Sequence, residues 1–193
     1  MDALRPFFVG CGYVLRPFFF SGVMIMKQQT RYLVHAAIIA ALYATLTHLQ
    51  NLLLAGSATW ASQLRLSEAL CILAFFTPAA APGLSIGCLV FNLTFAAALP
   101  LDFLVGTLAT YLAAKAMWYL RNCKCFGLPI AGLLMPALTN ALLVGWERAL
   151  YIGGGFWFNA LSVGLGELVV LLTLGSGLYI AMEKRNLPQR LFG

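Results

Sequence analysis

An all-α integral membrane protein, built as a bundle of six transmembrane helices with both termini cytoplasmic, is the fold class that three observations predict. Of 193 residues, 62% are hydrophobic and 9% charged, where a soluble domain carries roughly 25% charged residues. Apolar runs near the ~20 residues needed to cross a bilayer core recur six times. Of the 12 Lys and Arg that outnumber six acids to give +6, eight gather before the first helix and at the ends of the fourth and sixth rather than on one face. A mean hydropathy of +0.89 also excludes a disordered chain.

The elements follow in order. A first helix is expected at 32–50, ending at the polar pair Gln50 and Asn51, and a second at 62–77, stopped by Pro78. A third, 82–98, opens at Pro82 and ends before Pro100, and a fourth, 102–120, runs into the basic loop Arg121, Asn122, Cys123, Lys124. The fifth and sixth are expected at 128–149 and 157–182. The six-helix membrane domain thus covers 26–185, followed by a tail at 186–193. The first 25 residues carry a short echo, LRPFF at 4–8 and 15–19, broken by prolines. They read as an extension, an over-extended start or a loose interfacial segment, because Met26 and Lys27 introduce a clean apolar helix.

Charge then orients the bundle. Lys27 and Arg31 precede the first helix, Lys115, Arg121 and Lys124 close the fourth, and Lys184, Arg185 and Arg190 follow the sixth. Short cytoplasmic loops carry the excess of Lys and Arg, so these ends are inside. The opposite connections, near 51–63, 99–101 and 150–156, hold neither residue. The positive charge is therefore an orientation signal. A nucleic-acid partner is not expected, since no basic face interleaved with aromatics lies outside the spans. Cys71 and Cys88 fall within helices as small apolar residues, while Cys123 and Cys125 form a lone C-x-C in a reducing loop. Neither pattern implies a metal, and no cofactor is expected.

Ionisable residues inside a span are costly and mark function by default. With this topology Arg65, Glu68, Asp102, Asn92, Asn159 and Glu147 lie in the outer half, and Asn140 and Glu167 near mid-depth. Asn140 and Glu147, seven apart, share a helix face over about 10 Å, and Asn159 and Glu167, eight apart, over about 12 Å. Such stripes describe a pocket that opens outward and is closed below. Trp60, Trp146, Trp157 and Phe158 at the same level either line that pocket or anchor an interfacial belt. Arg65 with Glu68 is either a structural pair or part of the site, and Asn92 either joins helices or binds ligand. Glu167 has no basic neighbour in sequence and requires a partner, a proton or a ligand. The first helix carries a stripe of small residues, Ala36, Ala40 and Ala44 with Ala37 and Ala41 beside it, suited to close helix approach within the bundle or from outside.

The stretches QLRLSEALCILAFFTPAAAPGLSIGCLVFNL at 63–93, LDFLVGTLATYLAAK at 101–115 and PALTNALLVG at 136–145 closely resemble the QueT family. Its members are the substrate-binding S components of energy-coupling factor (ECF) transporters for queuosine precursors. The resemblance covers about 27–185 and leaves out the first 25 residues. It implies a six-helix S component in a bacterial cell membrane, with the alanine stripe docking the transmembrane coupling subunit and two ATPase subunits supplying energy. The chain has no G-x-x-x-x-G-K-[ST] loop, so ATP hydrolysis would belong to those partners. The implied substrate is a 7-deazaguanine base, the aminomethyl precursor or queuine. Glu147 or Glu167 would accept from its guanine edge, Asn140 and Asn159 would serve O6 and N7, and Trp60 or Trp157 would stack. Glu68 and Asp102 would meet an amine, with the 51–63 connection closing over the site. No H-E-x-x-H motif argues for an enzyme. The alternatives are an S component for another vitamin or nucleobase, and a membrane scaffold.

Overall fold

The computed structural model describes residues 9–54, 65–95, 98–125 and 127–192, with side chains from residue 28 onward. The chain divides into a small unit, 1–34, and a larger one, 35–193. Helix α1 is Val9–Leu53, and its part from His35 belongs to the larger unit. α2, Leu66–Phe75, is a 3-10 helix. α3 is Ala80–Thr94 and α4 Asp102–Leu120. α5 is Ile130–Tyr151 with a turn at Leu134, and α6 is Phe156–Lys184 with a π-helical stretch at Leu171–Gly175. A short α7, Leu187–Phe192, follows. Four of these helices are long and apolar enough to cross a bilayer, and α2 and α3 are shorter apolar helices.

Two expectations need correction. The first helix begins far upstream of 32, at Val9. The second is not an α-helix over 62–77 but ten residues of 3-10 helix, with i→i+3 bonds such as Glu68 N to Arg65 O and Phe76 N to Leu73 O, both 3.0 Å. Its start is held by α1 rather than by its own periodicity. Gln50 Oε1 accepts from Leu66 N at 2.7 Å, and Thr47 Oγ1 bonds Ser67 Oγ at 2.7 Å. The first bond satisfies one of the first turn's otherwise orphan N–H groups, and the second ties the turn to α1 through side chains. The expected loose segment falls outside the described residues up to residue 8, and most of the 51–63 connection does so as well.

Contacts show that the elements run alternately up and down. At one end His48 at the end of α1 meets Thr94 at the end of α3 (2.9 Å), Arg65 before α2 lies over Phe91, and Asn92 bonds Asp102 at the start of α4. At the other end Phe75 stacks edge-on with Tyr179 of α6, Gly132 of α5 abuts Phe75, and Lys124 pairs with Glu183 at 2.7 Å. That carboxylate holds the Lys124 ammonium above its ordinary value.

Close packing rests on small residues. A Cβ on Gly83 would lie 2.7 Å from the Ala36 carbonyl oxygen, and one on Gly87 2.7 Å from that of Ala40. Gly145 faces the Ala160 backbone equally closely, at 2.7 Å. Helices meet here backbone to backbone, as in membrane bundles where dispersion replaces the hydrophobic drive between helices. The exterior agrees. Leu33, Leu53, Leu93, Leu104, Leu161 and Val169 are exposed, whereas Glu68, Glu147 and Glu167 are among the largest fully buried side chains. Apolar outside with carboxylates inside inverts the soluble pattern and is stable only where the surrounding medium is itself apolar.

Candidate functional site

The buried carboxylates converge. Glu68 lies on the first turn of α2, where Tyr43 of α1 donates its hydroxyl to Oε1 at 2.5 Å and the Cys71 thiol donates to Oε2 at 3.1 Å. Thr47 extends the chain by donating to the Tyr43 carbonyl at 2.7 Å. Both oxygens of Glu68 are thus occupied from within the protein. Arg65 lies within electrostatic reach of Glu68, Asp102 and Tyr43, with its guanidinium 5.8 Å from the centre of the buried Phe91 ring.

Asp102 opens α4, and its Oδ2 accepts from Leu99 N at 3.0 Å, closing the turn into the helix. Asn92 donates to the Asp102 carbonyl at 2.7 Å and thereby ties α3 to α4. Glu147, near the end of α5, faces Asp102, and Arg148 interacts with Asp102 and Glu147. Glu147 is 0% exposed, with Asp102 and the Leu101 main chain as its polar neighbours, and among the described residues neither its carboxylate oxygens nor Asp102 Oδ1 makes a close hydrogen bond. Deeper, Asn140 of α5 donates to Glu167 Oε1 of α6 at 2.7 Å. Glu167 is 1% exposed and its Oε2 has no donor. Glu167 is in turn coupled electrostatically to Glu68 and Arg65. Four buried acids and two buried arginines therefore form one connected cluster in an apolar bundle.

Of the residues singled out in the sequence, Arg65, Glu68, Asp102, Asn140, Glu147 and Glu167 are brought together, and Asn92 abuts them as the tie to Asp102. Asn159 is buried but spends its amide on the Gly153 and Gly155 carbonyls, at 2.7 and 2.9 Å, fixing the glycine turn before α6. Trp157 is 74% exposed and Trp146 48%, so both sit on the outer surface rather than in the cluster. Trp60 lies outside the described residues. Within the alanine stripe, Ala36 and Ala40 are covered by α3, Ala44 is half-buried, and Ala37 and Ala41 remain exposed.

Sequence reasoning missed Tyr43, Thr47 and the aromatic face of Phe91. The signal was present in α1, whose buried positions Ala36, Ala40, Tyr43, Thr47 and Gln50 follow the three-four spacing of one helix face. An apolar cleft of about 220 Å³ between α5 and α6, lined by residues such as Ala137, Ala141 and Gly164, carries almost no polar surface and cannot read a polar ligand. Among the described residues no group of three or more His, Cys, Asp or Glu is placed to hold a metal.

Among the described residues, four helices are long and apolar enough to cross a membrane, and a buried, charge-rich cluster lies at one end of the bundle, where ionisable groups mark function by default. The chain belongs to the QueT transporter family, whose sequence profile matches residues 33–184. No curated protein and no solved structure matches it.

Proposed function

We propose that this chain is the substrate-binding S component of an ATP-driven ECF importer in a bacterial cell membrane, taking up a 7-deazaguanine precursor of queuosine. It spans the membrane six times with both termini inside, and it delivers its ligand together with a transmembrane coupling subunit and two ATPases. The observation that carries the substrate class is Glu167 with its Asn140 partner. The Asn140 amide fixes Glu167 through Oε1 while Oε2 stays open. A carboxylate held this way accepts two parallel hydrogen bonds, the complement of the N1–H and 2-amino edge of a deazaguanine. Burial at 1% exposure makes the match selective, because an analogue lacking either donor leaves a charge unsatisfied.

The supporting arguments are the family match, the six apolar helical segments that alternate in direction, and the positive charge at alternate connections. Docking of the coupling subunit falls to the exposed flank of the α1 stripe, Ala37 and Ala41, since α3 occupies the Ala36 and Ala40 side.

The test is thermal stabilisation of purified protein across a panel of nucleobases, vitamins and 7-deazaguanines. The aminomethyl deazaguanine is expected to raise the melting temperature, while adenine, which lacks the N1–H and 2-amino edge, and unrelated vitamins do not. Glu167→Gln exchanges one acceptor for two donors and is expected to weaken binding at least tenfold, or about 1.4 kcal/mol. Stabilisation by another vitamin alone, or unchanged binding in Glu167→Gln, sinks the assignment.

A further inference from the structure

We infer that Lys115 and Arg121, at the end of α4 opposite the carboxyl cluster, form a binding site for an anionic phospholipid of the surrounding leaflet. The site lies on the outside of the bundle, and the inference does not depend on the substrate proposed above.

α4 is one of the helices long and apolar enough to cross a bilayer, and one side of it faces outward, with Leu104, Leu108, Tyr111 and Leu112 exposed. Tyr111, Lys115 and Trp118 follow the four-three spacing that carries this side on to the helix end. Tyr111 and Trp118 are seven apart and share a face over about 10 Å, and each carries a cation. The Lys115 ammonium lies 5.7 Å from the centre of the Tyr111 ring, and the Arg121 guanidinium lies 3.7 Å from that of Trp118. Two cations thus follow one another along the helix on a surface that otherwise meets lipid tails.

Their depths differ. Arg121 caps α4 and donates from Nη1 to the Trp118 carbonyl at 3.0 Å. That bond uses one of the five N–H donors of a guanidinium held flat on the indole. Lys115 is six residues nearer the middle of the span, about 9 Å along the helix axis. Its ammonium turns further that way, toward Tyr111, instead of extending to the helix end. A cation at that depth is costly unless oxygen ligands reach it.

The protein does not supply them. Among the described residues neither Lys115 nor Arg121 has a carboxylate within ion-pair distance, and Glu183, the described acid at this end, is taken by Lys124 at 2.7 Å. The Tyr111 ring offers only the weaker attraction of an aromatic face.

A phospholipid answers both depths. Its phosphate meets the open guanidinium edge of Arg121 in the two-pronged geometry that arginine favours. Its glycerol ester carbonyls lie below the phosphate, where the three donors of Lys115 reach them. Its acyl chains then follow Leu104 and Leu108, which are already turned outward. A soluble anion would satisfy Arg121 and leave Lys115 empty, so the two depths select a lipid. Two cations against one phosphate charge also favour a headgroup without a cation of its own.

The test uses purified full-length protein stripped of lipid in detergent, with native mass spectrometry counting bound phosphatidylglycerol or phosphatidylcholine of the same chain length. Phosphatidylglycerol is expected to bind roughly tenfold more tightly. Lys115→Gln and Arg121→Gln are each expected to weaken it about fivefold, whereas Lys184→Gln and Arg185→Gln, which remove the same charge from the exposed tail, change it less than about twofold. Arg121→Gln also loses the Trp118 contacts, so Arg121→Lys is run beside it, and the melting temperature without lipid checks that each variant is folded. Arg121→Lys keeps the charge but not the fork, and is expected to fall between wild type and Arg121→Gln. Equal affinity for the two lipids, or equal losses in the tail variants, overturns the inference. Competition by glycerol phosphate at millimolar concentration would assign the site to a soluble anion and overturn it as well.

Discussion

Tyr43 shows how one hydroxyl decides the fate of a buried charge. Its O–H is the donor that satisfies Glu68 Oε1, at 2.5 Å, in a position that is 0% exposed. Tyr43→Phe keeps the ring and removes that donor, which strands a carboxylate oxygen at a cost of about 1–3 kcal/mol. Thr47→Val removes neutral bonds to the Tyr43 carbonyl and Ser67 Oγ, worth about 1 kcal/mol. Thermal unfolding in detergent should therefore rank wild type above Thr47→Val and Thr47→Val above Tyr43→Phe. Equal melting temperatures for Tyr43→Phe and wild type would show that Glu68 is satisfied by another route. At this scale the charged members of the site were legible, because Arg65, Glu68, Asp102, Glu147 and Glu167 stand out in an apolar sequence. Tyr43 was not, since a tyrosine in an apolar helix looks like any amphipathic core residue until its hydroxyl's partner, 25 positions away, is known. Trp157 was ambiguous for the converse reason. An aromatic at the right depth fits a belt and a pocket equally well, and only rotation about the helix axis, which puts Trp157 outside, separates them.

The helices themselves are set by where backbones touch. Gly83 and Gly87 are four apart on α3 and pack against Ala36 and Ala40 on α1, so two small-residue rows interlock. Sequence showed the alanine row but left its occupant open, and the matching glycines in PGLSIG are what the structure supplies. Adding a methyl at Gly87 or Gly145 meets backbone atoms at 2.7 Å, which can move only if whole helices separate. Gly87→Ala and Gly145→Ala are expected to destabilise by about 1–3 kcal/mol. Gly177 is the control, with nothing within 4 Å of an added Cβ. There alanine should be neutral or stabilising by about 0.5–1 kcal/mol through its helix propensity. Thermal unfolding of the three variants checks the contrast, and a drop for Gly177→Ala as large as for Gly87→Ala refutes the backbone-contact explanation. The 3-10 form of α2 was not legible, because its first turn is held by Gln50 and Thr47 from another helix. The π stretch at Leu171–Gly175 likewise leaves no periodic trace, as one widened turn barely shifts the apolar pattern.

At the scale of the whole molecule, the buried charged cluster and the exposed basic loop lie at opposite ends. The buried cluster sits where α1 and α3 end and α4 begins, while Lys124 and Glu183 pair at the far end, beside the loop that also holds Arg121. The positive-inside rule assigns that loop to the cytoplasm. With that assignment the cluster faces the exterior, the orientation that the proposed function requires. The alternation of the helices was legible from proline breaks and loop charge, since both are local signals. The lengths were not, because α2 at about 2.0 Å per residue reaches roughly 20 Å in ten residues, short of the ~30 Å core. Orientation can be tested with native thiols. Cys123 and Cys125 are free and exposed on the basic loop, and Ile152, 57% exposed, lies in the turn between α5 and α6. In intact cells a membrane-impermeant maleimide should leave Cys123 and Cys125 unlabelled until the membrane is permeabilised. In a background where both are serine, Ile152→Cys should label at once. Labelling of both sites from outside would mean that α5 does not cross. The reversed pattern would turn the carboxyl cluster toward the cytoplasm and leave an importer without an entrance.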